Sequence, residues 1–170
     1  MKKLLLAATV FAIATPAVAA PGDSESYKLA LSGSVASNCE LIPEGSGTFN
    51  VDMLNTGNQG ALAIVYSCNS PYTVSLKSKY GGMRHAESGG AVNIDYDIEA
   101  QGFFGLNQTT TNSANMTTPV VIVTNTDWQN IITNGGVRTG NLDLSFDSLS
   151  EQAVAGTYED ELTITLAAQL

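Results

Sequence analysis

The sequence is poor in the residue types that most often carry out chemistry. It contains one histidine, two cysteines, and seven basic residues against sixteen acidic ones. The histidine, His85, lies in a glycine-rich stretch without a G-x-S-x-G motif, so it is expected to be a solvated loop residue rather than a catalytic base. Two thiols and one distant imidazole are too few ligands for zinc. We therefore expect no enzymatic activity, no cofactor and no metal.

The sequence also lacks an apolar run long enough to cross a membrane. Its longest, residues 4–13, follows Lys2 and Lys3 and precedes an A-x-A pattern that ends at Ala19, which is typical of a signal peptide. We predict a signal peptide over residues 1–19 and export from a bacterial cell. Without the two lysines, the chain has five basic and sixteen acidic residues, a net charge of −11. This charge argues against nucleic acid and anionic membranes as partners.

The two cysteines, Cys39 and Cys68, are an even number in a chain predicted to be exported. An oxidising compartment favours disulfides, so we predict one disulfide between them. It would close a loop of about 30 residues and contribute about 3–4 kcal/mol in the chain-entropy description.

Helix signals are almost absent, and apolar residues alternate with polar ones between turn clusters. About eight such segments in one domain predict an all-β chain, with a β-sandwich as its architecture. Residues 61–68 and 72–77 are predicted to form a hairpin with its turn at residues 69–71. Residues 101–118 are predicted to form a surface loop that is anchored by Phe103 and Phe104. The clearest strand segments are residues 61–68, 72–77, 91–99, 119–124, 142–146 and 156–166.

A few residues leave two interpretations open. Asp95, Asp97 and Glu99 share one face of a predicted strand and could bind Ca²⁺ weakly, but a solvated outer face is the simpler interpretation. Tyr80 and Trp128 could stack on a sugar, although Trp128 is expected to pack in the core. Residues 128–132 are predicted to form a short strand or a turn.

The most informative segment precedes the first cysteine and reads Y-K-L-A-L-S-G-S-V over residues 27–35. Its alternation places one set of side chains on a single face of an extended strand. We hypothesise that this terminal strand inserts into a neighbouring copy of the protein, although it could also be an ordinary first strand of its own sheet. The residues on this face are Tyr27, Leu29, Leu31, Gly33 and Val35.

Three features together resemble the spore coat protein U domain family, which includes pilins of the archaic (Csu-type) chaperone–usher pili. The first is the alternating strand that runs into Cys39. The second is V-Y-S-C-N-S-P-Y-T-V-S-L at residues 65–76, similar to that family's cysteine followed by a short turn and a strand. The third is G-T-Y-E-D-E-L-T-I-T-L at residues 156–166, similar to its closing G-x-Y-x-D-x-L-x-V-x-V.

The resemblance implies an immunoglobulin-like β-sandwich that is incomplete and is completed by a donor strand from a neighbouring subunit. Residues 1–19 would then be the signal peptide, 20–38 an N-terminal extension with the donor strand, and 39–170 the pilin domain. Chaperone–pilin complementation is a known form of strand addition to a sheet edge. The closing strand, which would border the groove and meet the chaperone or usher, carries Tyr158, Leu162, Ile164 and Leu166.

The function that this resemblance implies is that of a structural subunit of a surface pilus, which supports adhesion or biofilm formation. The implied partners are other pilin subunits, of the same or another kind, a periplasmic chaperone and an outer-membrane usher. The implied route runs through the periplasm to the cell surface, without insertion into a membrane. The alternative is a secreted, self-complete β-sandwich that binds carbohydrate or a surface protein, or a coat-type structural protein.

Overall fold

The computed structural model describes residues 27–42, 47–103, 109–134, 136–147 and 153–169. The predicted signal peptide lies outside these residues, as does Phe104. The chain divides into two units, Met1–Ser34 and Val35–Leu170. In the first unit, residues 27–34 have no regular secondary structure and their side chains are exposed.

The second unit consists mainly of antiparallel strands, so the all-β prediction is confirmed at this level. Its described residues also include a five-residue 3-10 helix at Ser113–Thr117 and one short α-helix, α1, at Trp128–Thr133. No helix in the described part of the chain is long and apolar enough to span a membrane. The strands are β1 (Cys39–Ile42), β2 (Gly57–Cys68), β3 (Tyr72–Ser78), β4 (Met83–His85), β5 (Asn93–Ile94), β6 (Asp97–Gln101), β7 (Thr110–Asn112), β8 (Val120–Asn125), β9 (Val137–Phe146), β10 (Tyr158–Glu159) and β11 (Leu162–Ala168).

The described strands form three sheets, and every pairing between them is antiparallel. One sheet has five strands in the order β1-β2-β9-β6-β7, and two have three strands each, in the orders β11-β3-β8 and β10-β4-β5. Strand β2 bends at a bulge between Asn58 and Gly60, where the positive φ of Gly60 (110°) suits a residue without a side chain.

The inward faces of the five-stranded sheet and the β11-β3-β8 sheet share one hydrophobic core. Tyr66 of β2 and Tyr72 of β3 meet edge to face at 5.5 Å between ring centroids, and their hydroxyl groups are hydrogen-bonded at 3.0 Å. Tyr66 also stacks on Phe103, whose ring lies where a side chain at residue 140 would be, so Gly140 of β9 makes room for it. Aromatic contacts thus join the two sheets.

The predicted hairpin of residues 61–68 and 72–77 is wrong. The two segments are strands, but β2 pairs with β1 and β9, whereas β3 pairs with β8 and β11. Residues 69–71 carry the chain from one sheet to the other, and Ser70 and Pro71 are buried on the way. Both strands place large apolar side chains in the core, which they can do from opposite sides only if they belong to different sheets.

The region after Phe103 is more regular than its composition suggests. Residues 110–117 form β7 and the 3-10 helix, so the predicted surface loop is wrong there. Met116 is fully buried, and the hydroxyl group of Ser113 donates to the carbonyl oxygen of Gly81 at 3.2 Å. Residues 128–133 are helical rather than a strand or a turn, with the Asp127 side chain accepting from the backbone N–H of Gln129 at the helix start.

The predicted disulfide between Cys39 and Cys68 is present, and these residues are directly opposed in the β1–β2 ladder. The bond joins the first strand of the sheet to the end of β2, at a sequence separation of 29 residues. It therefore fixes the position at which the N-terminal segment leaves the sheet.

We predict that reduction of this disulfide lowers the free energy of unfolding by about 3–4 kcal/mol, because the unfolded chain regains the freedom of a loop of about 30 residues. Urea unfolding, followed by circular dichroism with and without reductant, measures the change. The C39S/C68S double variant is the control and should match the reduced wild type. A difference below about 1 kcal/mol between reduced and oxidised protein would contradict the prediction.

Candidate functional site

Two strands with a free edge border the same part of the core. Strand β1 ends the five-stranded sheet, and β11 ends the β11-β3-β8 sheet. Strand β1 is short and covers only residues 65–68 of β2, so residues 57–64 of β2 have no partner on that side among the described strands. Backbone N–H and C=O groups on such edges remain able to pair with another strand.

An open apolar cleft lies between these edges, and we call it the groove. It consists of two adjoining cavities of about 270 and 250 Å³ that share Gly47, Phe49, Leu62 and Leu162. Aliphatic side chains of β1, β2, β9 and β11 line most of it, and polar groups enter only at one end, where Tyr96, Asp160 and Glu161 lie. The aliphatic lining residues are Leu41, Ile42, Val51, Leu62, Ala63, Ile64, Ile98, Leu142, Leu144, Leu162 and Ile164.

Side chains along the groove are less buried than their neighbours on the next strand. Leu76 and Val74 of β3 are 0% and 1% exposed, yet Ile164 and Leu166, opposite them on β11, are half-buried. In the other sheet, Leu62 of β2 is half-buried, whereas Leu142, its partner on β9, is buried. Leu62, Ile164 and Leu166 thus point toward the core but are covered on one side only, because this part of β2 and the whole of β11 lie at sheet edges among the described strands.

The carboxylate of Asp160 holds the start of β11 at the polar end of the groove. One of its oxygens accepts from the Ser78 hydroxyl at 2.6 Å and from the Tyr96 hydroxyl at 2.7 Å. The other oxygen accepts from the backbone N–H of Tyr80 at 3.1 Å. Burial, helped by the hydrogen bond to Asp160, raises the pKa of Tyr96, so its hydroxyl remains a donor at ordinary pH.

A second cluster, around His85, holds the segment before β11. The sequence predicts that His85 is solvated, but the structure buries it. The backbone N–H of Ser88 donates to its Nδ1 at 3.1 Å, so Nε2 carries the proton and donates to the carbonyl oxygen of Ala155 at 3.2 Å. A Cβ at Gly156 would collide with the imidazole. The ring of Tyr158 packs against the imidazole at a tilt of 55°, with 5.0 Å between centroids.

The residues predicted on the closing strand lie on one face of β10 and β11. Tyr158, Leu162, Ile164 and Leu166 are all half-buried and pack against the core cluster. The polar residues between them are exposed, except Asp160, because a β-strand places successive side chains on opposite faces.

The residues predicted on the N-terminal strand are exposed. The large apolar side chains of Tyr27, Leu29, Leu31 and Val35 are 90%, 68%, 87% and 89% exposed. No described residue before Cys39 belongs to a strand. We call residues 27–35 the arm.

Just after the arm, the side chain of Asn69 holds residues 36–38 to the sheet. Its Oδ1 accepts from the backbone N–H of Asn38 at 2.7 Å, and its Nδ2 donates to the carbonyl oxygen of Ala36 at 3.0 Å. The backbone N–H of Asn69 donates to the carbonyl oxygen of Asn38 at 3.1 Å. These bonds extend the β1–β2 ladder past the disulfide and end one residue after Val35.

The structure does not bring together the residues that were considered for calcium or for a sugar, which are Asp95, Asp97, Glu99, Tyr80 and Trp128. Asp97 is half-buried and accepts from Asn112 at 2.9 Å, whereas Asp95 and Glu99 are exposed. In the part of the chain that the structure describes, no three potential ligands cluster to hold a metal ion. The Tyr80 ring has the side chains of Lys79 and Arg84 over it, at 5.2 and 4.9 Å from its centroid.

Trp128, expected in the core, is 52% exposed at the start of α1. The neighbouring Ile131 is buried, while Ile132 is 69% exposed. A helix of six residues can turn only part of its surface to the protein, and here Ile131 occupies the inward position.

The arrangement as a whole is suited to binding an extended chain segment. Two free edges supply hydrogen-bonding groups, and the groove between them supplies alternating apolar contacts. No protein-family model, curated protein or solved structure matches the chain.

The structure adds Asp160 and Asn69 as residues that hold this site, whereas the sequence analysis included Asn69 only in a predicted turn and Asp160 only as the aspartate of the closing motif. Both are polar residues beside apolar strands, at the end of β10 and directly after Cys68. A short polar side chain next to a strand end is a signal for capping or turn hydrogen bonds. The particular partners, 64 to 82 residues away for Asp160, become apparent only in the folded chain.

We predict that Asp160→Ala lowers the free energy of unfolding by about 2–4 kcal/mol, because three donors in a partly buried site lose their acceptor. Tyr96→Phe removes one of those bonds and should cost about 1 kcal/mol. Thermal or urea unfolding measures both changes. Asp95→Ala, at an exposed aspartate, is the matched control and should stay within about 0.5 kcal/mol of the wild type. Equal effects of the two aspartate substitutions would contradict the assigned role of Asp160.

Proposed function

We propose that this protein is a structural subunit of a bacterial surface fibre of the chaperone–usher type, and that it polymerises by donating its arm to the groove of a neighbouring subunit. The observation that carries the proposal is the open apolar groove between the free edges of β2 and β11. A strand placed there would pair with both edges and cover the half-buried row of side chains. The five-stranded sheet and the β11-β3-β8 sheet would then form an immunoglobulin-like sandwich that lacks one strand of its own.

The arm has the composition that such a groove requires. Its nine residues exceed the seven of β11, so it is long enough to run along that edge. In an extended strand, Tyr27, Leu29, Leu31 and Val35 would share one face, and their full burial would contribute about 6–12 kcal/mol gross, at about 1.5–3 kcal/mol each. Gly33 interrupts this row, which suits a shallow part of the groove.

The same geometry explains why the proposal includes a chaperone and an usher. A monomer with an unfilled groove exposes apolar surface and free strand edges, which favour aggregation. A periplasmic chaperone that lends a strand would protect the groove until an outer-membrane usher delivers the arm of the next subunit. The resemblance to the spore coat protein U domain family supports this order of partners, as do the predicted signal peptide and the disulfide.

The charge of the chain supports assembly through burial and backbone bonds. With a net charge of −11 after loss of the leader, copies of the chain repel one another at long range. The pairing of a strand with a groove acts at short range and in one orientation. It would therefore overcome that repulsion only where the arm of one copy meets the groove of another. Adhesion or biofilm formation would be the role of the finished fibre.

Removal of the arm tests the proposal. We predict that a chain without residues 24–35 remains monomeric, is bound by the chaperone, and does not extend a fibre, because it has a groove but nothing to donate. Size-exclusion chromatography and electron microscopy of the exported protein measure the outcome. Fibres of normal length from this truncated chain would exclude the arm as the donor. In that case a self-complete sandwich, stable without a chaperone, would become the better description.

Single substitutions in the arm give a sharper test, since exposed residues outside the strands are not needed for folding. We predict that Leu31→Asp lowers the fraction assembled at least about tenfold, because a buried unpaired charge costs several kcal/mol. The matched control is Ser32→Asp, which adds the same charge on the opposite parity and should assemble nearly as the wild type does. Sedimentation of the assembled fraction measures the difference. Equal losses for both variants would mean that the charge, and not the face of the strand, matters.

A further inference from the structure

A second apolar cleft lies at the point where the arm leaves the sheet, away from the residues of the groove. It has a volume of about 370 Å³, and we call it the root cleft. Its lining includes Asn38 and Asn69, which hold the base of the arm, together with Trp128 and Ile132 of α1. Both α1 residues are largely exposed, at 52% and 69%.

Helix α1, which contributes residues to the lining of the root cleft, is held by side-chain hydrogen bonds at both of its ends. The buried side chain of Arg138 donates from Nε to the carbonyl oxygen of Asn134 at 2.6 Å and from Nη2 to that of Ile131 at 3.3 Å. Asp127 accepts from the backbone N–H of Gln129 at the other end. An exposed tryptophan on a fixed element is the kind of side chain that dominates protein–protein contacts.

The length of chain between the root cleft and the arm limits where a neighbouring subunit can be. Val35 is three residues before Asn38, a span of at most about 10 Å in a fully extended chain. The bonds from Asn69 hold Ala36, so the held segment begins at the residue directly after Val35. If Val35 is buried in the groove of a second copy, the body of that copy must lie directly beside the root cleft.

We infer that the root cleft is a second contact between subunits, in which Trp128 and Ile132 pack against the copy that receives the arm. The inference rests on the proposed strand donation and adds to it a body-to-body contact that sets how adjacent subunits are oriented. The occupant is a second copy of this chain, because the short tether brings that copy, and no other molecule, to the cleft in every assembled pair.

The sequence provides a direct probe, since Trp128 is the only tryptophan. The experiment compares acrylamide quenching of its fluorescence in two states of the full chain. One is the wild-type fibre. The other is the Leu31→Asp monomer with its groove filled by a synthetic peptide of residues 24–36. Both states have a filled groove, but only the fibre has a neighbour beside the root cleft.

We expect the quenching constant to be at least about threefold lower in the fibre than in the peptide-filled monomer, with emission shifted to shorter wavelength, because an interface core excludes water and quencher. Fibres that form while Trp128 stays as accessible as in the monomer would overturn the inference and leave strand donation standing. If the peptide does not bind and no fibre forms, the proposed function fails, and the root-cleft contact fails with it.

A pair of variants checks the contact independently of the tryptophan signal. Ile132→Asp should lower the assembled fraction about tenfold, because it buries an unpaired charge in the contact, while binding of the peptide to the groove stays unchanged. The matched control is Val121→Asp, at another exposed aliphatic residue that does not line the root cleft, and it should assemble as the wild type does. Equal assembly of the two variants would contradict the inference.

Discussion

Unpaired backbone on both sides of an apolar groove is the constraint on which this structure depends. Strand β1 leaves most of the edge of β2 free, and β11 has no partner on its outer side among the described strands. The side chains between these edges, such as Leu62 and Ile164, face the core but remain half-buried. Only an extended segment can satisfy both requirements at once, since it offers backbone hydrogen bonds along its edges and apolar side chains on one face.

The two edges are held by different means. The disulfide joins β1 to β2 at one end, and Asn69 extends that ladder to Ala36. At the other edge, Asp160 ties β11 to β3 and β6 through Ser78 and Tyr96, and the cluster around His85 holds the preceding turn. In the proposed fibre, a groove held at both edges would lose little conformational entropy when a strand enters, which would favour tight binding.

In the proposed fibre, each subunit would therefore be both incomplete and prepared for its partner. Its groove would be able to receive a strand, and its own arm, with Leu29 and Leu31 exposed, would be available to fill the groove of another subunit. The root cleft would add a second attachment beside the first. Because the chain is strongly acidic, such paired short-range contacts would determine which surfaces of two copies can meet.

The sequence by itself determined the all-β class, the disulfide between Cys39 and Cys68, and the apolar face of β11, because alternation and cysteine pairing are local or compartmental properties. It did not reveal that β2 and β3 belong to different sheets, or that Trp128 is exposed while His85 is buried. Strand partners depend on contacts between residues far apart in sequence, and alternation is the same whichever strand lies alongside. The groove exists only because the tertiary structure leaves two edges unpaired around it, and Asp160 holds one of them through partners about 60 to 80 residues away.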